Sequence, residues 1–305
     1  MINDVIIQLL CDIVGVSGIS LNEPMYRHTT FRIGGNADIM IEPSDTRQTE
    51  GVIKTLKQMN IPYIILGNGS NVLVGDNGIR GAVVKIGNKF SNHNTDGCRI
   101  YADAGIKLSR LANIALGNHL SGLEFAAGIP GTLGGAVYMN AGAYDGEMKQ
   151  IVREVTYLNE KGECCKIQGF DCEFGYRTSI FEKNPQYVIL GCEIELTEGN
   201  PDDIKALMDD LADRRNSKQP LNLPSAGSTF KRPEGYFAGK LIQDAGLMGY
   251  SIGGAAVSEK HAGFVVNNNN ATAADVCELI KHVQEKVYNE FNVKLSPEVR
   301  FIGEF

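Results

Sequence analysis

Apolar residues at Val52, Ile53, Leu56 and Met59 recur at helical spacing inside SDTRQTEGVIKTLKQMN, behind an Asp45 placed to cap the first free amides. The pattern predicts a helix over 44–60. Compact apolar runs flank it, ADIMIEP (37–43) and PYIILG (62–67), and VLV follows the turn NGSN. These read as strands, giving a βαββ opening of α+β type. GAVVKIG and CRIYADAG add short strands between 81 and 105, IKLSRLANIALGNH reads as a helix over 106–119, and 151–197 is mainly β. A helix then begins behind Asn200, with Pro201 and two acids in its first turn, and runs to about Asn216. SKQPLNLPS (217–225) has two prolines and no hydrophobic period, so it reads as a linker or crossing loop. Helices follow at 236–246 and 272–292, the second with Thr272 and Asp275 as a reciprocal capping pair, and VKLSPEVRFIG closes on a strand.

At 305 residues the chain is long for one core, so two or three domains are expected, with the clearest composition break at 200–225. A net charge of −7 argues against a nucleic-acid partner while leaving room for a local cationic site. The start, MINDVIIQLLCDIVGV, has Asp4 and no basic stretch, and fits an amphipathic helix better than a secretory signal. No apolar run reaches the roughly 18 residues of a membrane span. Seven cysteines contain no CxxC and five histidines no HxxxH, so no metal is expected. They read as reduced, mostly buried thiols of a cytoplasmic protein, with Cys164 and Cys165 on opposite faces of one strand.

Several stretches carry chemistry. In LGNGSNVLV, Gly67 and Gly69 let backbone amides converge into a nest suited to pyrophosphate, although an ordinary hairpin turn has the same composition. It lacks the third glycine and helix of a dinucleotide fingerprint, and no GK[ST] occurs. GIPGTLGGAVYMNAGAYDGE (128–147) interleaves glycines with small residues without amphipathic period. Neither a helix nor a strand needs that pattern, while a flat ligand or a tight loop crossing would. Arg177, in FGYRTSIF, sits among aromatic and apolar residues and needs an anion, from a ligand or from a protein carboxylate. Arg214, Arg215, Lys218, Lys231 and Arg232 supply phosphate-sized cations, although a solvated helix end would also explain the first two. Glu298 is an acid–base candidate or a partner for Arg300. Ser228, in SAGSTFKRP, has no histidine within thirty positions to activate it as a nucleophile, and a serine so placed can instead give a proton away.

Taken in order, TTFRIGGNAD, LGNGSNVLV, GIPGTLGGAVYMNAGAY, FGYRTSIF, SAGSTFKRP, GAAVSEKHAGFVVN and PEVRFIG resemble the UDP-N-acetylenolpyruvoylglucosamine reductase (UDP-N-acetylmuramate dehydrogenase) family along almost the whole chain. The resemblance implies an α+β fold: a two-subdomain FAD module of the vanillyl-alcohol-oxidase (PCMH) type, followed by an α+β substrate domain. The expected division is a helical segment at 1–30, the FAD domain at 31–197, the substrate domain at 200–296 and a returning strand at 297–305. It implies noncovalent FAD and NADPH as co-substrate, with hydride passing from NADPH through the flavin to the enolpyruvyl methylene carbon in peptidoglycan precursor synthesis. Gly67, Asn68, Gly69, Ser70 and Asn71 would hold the FAD pyrophosphate. Gly128, Ile129, Pro130, Gly131, Thr132, Gly134, Gly135 and Asn140 would line the rest of the cofactor. Arg177, Ser228 and Glu298 match the catalytic positions, Lys218 a diphosphate contact, and Arg232 and His261 further substrate contacts. The span between Arg177 and Ser228 is that of the shorter subtype, so the substrate-closing tyrosine of longer members has no counterpart here. The protein is expected to be a monomer acting on small molecules, with neither nucleic acid nor membrane as partner. The other readings are an FAD-dependent oxidase of a different substrate and a non-catalytic flavin-binding module.

Overall fold

The computed structural model describes residues 2–305, which form two discontinuous units. The first takes in the chain up to Leu21, Ile39–Asn68 and Gly81–Arg215; the second Asn22–Asp38, Gly69–Arg80 and Asn216–Phe305. The last passage between them, after Arg215, lies inside the expected composition break.

In the first unit Asn3 caps the helix Asp4–Val14 by accepting from the Ile6 amide at 3.1 Å, and that helix buries Ile6 and Leu10. Asp45 likewise caps Thr46–Gln58 through the Gln48 amide at 2.8 Å, and Val52, Ile53 and Leu56 are buried. Met59 departs from the expected stripe and is 40% exposed. The helix stops at Gln58 because Asn60 turns left-handed (φ 51°) and the Ile61 amide closes on the Leu56 carbonyl at 2.9 Å. The 1–30 stretch is also less helical than expected, since a strand, Ile19–Pro24, follows the first helix.

Two sheets carry the β content named so far. Ile19–Pro24, Asn36–Ile41, Ile79–Lys85 and Tyr63–Leu66 lie in that order, with the last two parallel. The 151–197 region supplies three strands of a five-stranded antiparallel sheet, in the order Cys164–Gln168, Val152–Leu158, Val188–Glu195, Arg99–Asp103, His93–Asp96. One core joins these sheets to the helices through Ile39, Ile53, Leu56, Ile100, Leu111, Val155, Phe181 and Leu190. Cys164 and Cys165 do occupy opposite faces, but on the edge strand, so Cys164 is exposed. Only Cys172 and Cys192 are buried, fewer thiols than expected.

The glycine-rich stretch 128–147 differs from its expectation, for it contains the helix Leu133–Tyr138 and the hairpin Gly142–Ala143 with Gly146–Glu147. Thr132 starts the helix by accepting from the Gly135 amide at 3.5 Å. Amphipathic period is absent because six residues make under two turns and bury Leu133, Ala136 and Val137 together.

In the second unit Val72–Val74 pairs in parallel with Arg300–Ile302, and Ser251–Ile252, Ala255–Val257 and Val265–Asn267 form a small antiparallel sheet. The helix Ala273–Phe291 has the expected Thr272/Asp275 capping box and buries Val276, Leu279, Ile280, Val283 and Val287 against Phe31, Leu73 and Ile242. The preceding helix is shorter than expected, Ala238–Asp244, because Phe237 remains extended at its N-cap. The closing strand is only Arg300–Ile302, since Pro297 has no amide and that of Glu298 goes to the Thr229 carbonyl. Among the described residues no helix is long and apolar enough to cross a membrane, and no group of three or more His, Cys, Asp or Glu could hold a metal ion.

Asp76 reaches the start of the helix Ala273–Phe291, where Oδ1 accepts from the Ala273 amide at 2.7 Å and Oδ2 from the Ala274 amide at 3.0 Å. The sequence separation is 197 positions, so a local helix end depends on a distant turn. Asp76→Ala is expected to remove about 0.5–2 kcal/mol of stability, read as a lower urea midpoint. An unchanged midpoint would show the cap to be dispensable.

Candidate functional site

In the first unit the two expected cofactor segments meet. The Asn68 side chain donates to the Pro130 carbonyl at 2.5 Å, and a Cβ on Gly67 would stand 2.4 Å from Thr132 Oγ1. The helix-side end of the glycine stretch is stitched down: the Leu133 amide goes to the Ile106 carbonyl (2.9 Å) and that of Gly134 to Ala104 (2.8 Å). A Cβ on Gly134 would lie 2.9 Å from that of Ala104, so this glycine serves protein packing. Gly128, Pro130 and Gly135 remain exposed and Gly67, Asn68, Ile129 and Gly131 half-buried, which leaves a backbone edge open beside a buried Thr132. Such an edge of convergent glycines admits a flat polar ligand close to main-chain groups.

Asn140 does something other than line that edge. It is 1% exposed, its Nδ2 donates to the Gly175 carbonyl and to Glu147 Oε2, both at 3.0 Å, and its Oδ1 accepts from the Lys149 amide at 2.9 Å. Gly175 opens the tight turn to Thr178 that carries Arg177. Arg177 is half-buried at φ 55°, a left-handed conformation uncommon for a residue with a side chain, and its Nη2 donates to the Gly142 carbonyl at 3.2 Å. Its guanidinium also lies over the Tyr176 ring, 5.3 Å from the centroid.

The turn 67–71 is where the chain leaves the first unit, so Gly69, Ser70 and Asn71 belong to the second. Gly69 needs to be glycine, because at φ 62° its Cβ would stand 2.1 Å from the His28 carbonyl oxygen. Asn71 holds the Glu298 segment from both ends: its side chain donates to the Glu298 carbonyl at 3.2 Å, and its own carbonyl accepts from the Arg300 amide at 3.0 Å. The Glu298 amide donates to the Thr229 carbonyl at 2.8 Å, which places the half-buried Glu298 beside the Ser228 segment. Ser228 itself is exposed, behind Gly227 at φ 75°.

Of the cations, Lys231 is half-buried with its amide on the Ser296 carbonyl (2.8 Å), and Lys218 is exposed at the end of its helix. Arg232 is exposed, with its guanidinium 4.0 Å from the Phe237 ring centroid and its Nε donating to the Tyr236 carbonyl at 3.4 Å. His261 packs edge-on to Phe264, and its Nδ1 accepts from the Gly263 amide at 3.1 Å. Burial lowers its pKa below the ordinary 6.5.

Sequence reasoning missed Thr229, which is 1% exposed and whose hydroxyl accepts from the Val265 amide at 2.8 Å while its own amide goes to Gly263. No pattern announces it, because its partners are more than thirty positions away. Tyr144 and Asp145, the two turn residues between the paired Ala143 and Gly146, were also passed over; both are left-handed, at φ 51° and 67°.

Residues 219–302 match a family model described as the C-terminal domain of UDP-N-acetylenolpyruvoylglucosamine reductase, and 37–168 match one described as an FAD binding domain. A UDP-N-acetylenolpyruvoylglucosamine reductase of Clostridioides difficile strain 630 is 50% identical over 301 residues, covering 99% of this chain and 98% of that one. Its counterpart in Clostridium perfringens strain SM101 is 51% identical over 296 residues, 97% of each chain. The crystal structure of UDP-N-acetylenolpyruvylglucosamine reductase from Thermus caldophilus is 32% identical, with a TM-score of 0.79 over 93% of this chain and 97% of that one. An alkyldihydroxyacetonephosphate synthase, 12% identical with a TM-score of 0.51 over 65% of this chain and 41% of its own, shares the fold alone.

Because the fold favours neutral His261, only the unfolded chain takes up this proton as pH falls through about 6.5, so stability declines with falling pH there. His261→Gln should therefore lose less stability than wild type between about pH 7.5 and 5.5, in urea midpoints. Equal losses in both would place the titration elsewhere.

Proposed function

The chain belongs to the UDP-N-acetylenolpyruvoylglucosamine reductase family, and from that membership we propose the roles of its individual residues. The protein is an FAD-dependent oxidoreductase that reduces UDP-N-acetylenolpyruvoylglucosamine. FAD, held by the glycine-rich segments, would supply the redox chemistry by which NADPH reduces the methylene carbon of the enolpyruvyl group. The product is UDP-N-acetylmuramate, a peptidoglycan precursor.

The open backbone edge formed by Gly67, Asn68, Ile129, Pro130, Gly131, Thr132 and Gly135 fits a noncovalent dinucleotide. Gly128 and Gly134 belong to the same stretch, and Gly69, Ser70 and Asn71 continue the turn that takes the pyrophosphate. Asn140 positions Arg177 through the Gly175 carbonyl. Arg177 holds the substrate carboxylate and the charge that builds on it once the neighbouring carbon becomes a carbanion. A fixed donor of this kind is worth about 2.7–4 kcal/mol of barrier. Ser228 Oγ gives its proton to that carbanion, and Glu298, protonated at that moment, donates to a carboxylate oxygen. The observation that carries Ser228 is its exposed hydroxyl beside a rigidly bonded Thr229, with the Lys231 amide anchored three residues on. A serine hydroxyl is a weak acid, near water's pKa of about 15.7, so only a strongly basic acceptor can draw its proton. Lys231 or Arg232 then steadies the alkoxide, and Lys218 and His261 take parts of the nucleotide sugar.

The FAD module is assigned to 31–197 and the substrate domain to 200–296, supported by the matched spans 37–168 and 219–302. The segments 1–30 and 297–305 flank these two domains. The protein acts as a cytoplasmic monomer on small molecules.

Two substitutions separate binding from chemistry. Gly67→Ala, which drives a methyl against Thr132 Oγ1, is expected to lower the flavin recovered per chain, read from the absorbance ratio of purified protein. Full occupancy would remove that turn from the cofactor. Ser228→Ala is expected to leave bleaching of the flavin by NADPH intact and to slow its substrate-driven return by about 10²–10⁴-fold in stopped flow. An unchanged return rate would dismiss the serine as donor.

A further inference from the structure

Arg214, Arg215 and Lys218 are neighbouring cations on the helix Pro201–Lys218, yet the structure gives the two arginines different surroundings. Arg214 pairs with Asp210 at 2.7 Å, one turn back, and its side chain is 56% exposed. Arg215 is half-buried and lies against Gly128: a Cβ on that glycine would stand 3.1 Å from Arg215 Cδ and 3.4 Å from Nη1. Positions one helical turn away hold Leu211, Ala212, Lys218 and Gln219, so no acid is available at helical spacing. Among the described residues none forms an ion pair or hydrogen bond with the Arg215 guanidinium.

A guanidinium kept partly out of water without a counter-charge is costly, and arginine remains cationic under all ordinary conditions. The partial negative charge of the helix C-terminus favours a cation in the last turn only modestly and is no substitute for a full counter-charge. Its other neighbour with an ionisable group is Tyr144, half-exposed at the tip of the hairpin Gly142–Ala143 with Gly146–Glu147. Tyr144 and Asp145, left-handed at φ 51° and 67°, are the two central residues of that tight hairpin turn. Gly128 is exposed and opens the glycine stretch, so the guanidinium stands beside main chain that a ligand can approach.

We propose that Arg215 binds the diphosphate of a nucleotide ligand, with its planar fork over Gly128 and Tyr144 beside it. A fork of parallel N–H groups matches phosphate oxygens two at a time. Of the family's ligands that carry that group, the inference concerns the dinucleotide FAD and the uridine diphosphate sugar, so it rests on the family reading for its ligands and on this chain's geometry for its residue.

The test uses the full-length protein as wild type, Arg215→Met and Arg215→Lys. Flavin-stripped protein is titrated with FAD by fluorescence quenching, and flavin-loaded protein with UDP-N-acetylglucosamine by calorimetry, each at two salt concentrations. Arg215→Met is expected to weaken FAD, the UDP-sugar or both by at least about tenfold and to flatten the salt dependence of the ligand affected. Arg215→Lys should recover part of that loss, since an ammonium keeps the charge without the fork. The ligand that weakens identifies the diphosphate. Flavin-stripped Arg215→Met is expected to melt at or above wild type, because the substitution removes an unmatched half-buried charge. Affinities within twofold of wild type for both ligands would overturn the proposal. So would an Arg215→Met protein that melts well below wild type or fails to fold, since the guanidinium would then be structural. Wild-type protein that binds neither ligand would overturn this proposal together with the family reading.

Discussion

Thr229 holds together three stretches of chain that are remote in sequence. Its amide donates to Gly263, its hydroxyl accepts from Val265 and its carbonyl accepts from Glu298, each at 2.8 Å, with the residue 1% exposed. Buried polar groups left without partners are costly, so a fully matched set tolerates little displacement. The arrangement of the second unit's candidate chemistry follows from it. Ser228 can keep its hydroxyl exposed because its backbone is fixed by the neighbour, and Glu298 takes its place from the same residue. A serine that had to anchor itself would have less to offer a reacting carbon.

The first unit reaches a comparable result with an amide. Asn140 uses both ends of its side chain on Gly175, Glu147 and Lys149, and so fixes the turn on which Arg177 sits. Arg177 holds a left-handed backbone conformation there, which persists only where surrounding bonds impose it. Strain of this kind is tolerable beside a buried, fully bonded asparagine. In each unit a buried polar residue fixes the backbone beside a candidate catalytic residue, Arg177 in the first and Ser228 in the second.

The local code of this chain was readable wherever a cap, a stripe or a turn dipeptide decides the structure. Asp45, the Thr272/Asp275 box and the Val52, Ile53, Leu56 face are as the spacing predicts. The glycine stretches and Arg177, Ser228 and Glu298 also stood out, through order and composition that match a known family. What was hidden depends on partners far along the chain. Nothing near Val72–Val74 says that it pairs with Arg300–Ile302, and nothing near Thr229 or Asn140 says how their bonds are spent. The helix Leu133–Tyr138 was missed because a short buried helix needs no polar face. Met59 was placed wrongly because the stop at Asn60 comes from backbone closure, which hydrophobic period does not report.

The bond from the Asn71 side chain to the Glu298 carbonyl spans 227 positions, and Val72–Val74 waits for Arg300–Ile302 as its parallel neighbour. A growing chain therefore exposes the turn that follows Gly69 long before its structural counterpart has been synthesised. The second unit cannot close its core around Phe31 and Leu73 until Val276, Ile280 and Val299 have been made. Contacts of such long sequence separation carry a loop-closure cost that slows folding. Emergence of the segment that carries Glu298 and Arg300–Ile302 is thus the event that completes the second unit, and a chain interrupted before it lacks that carboxylate and the strand that would hold it.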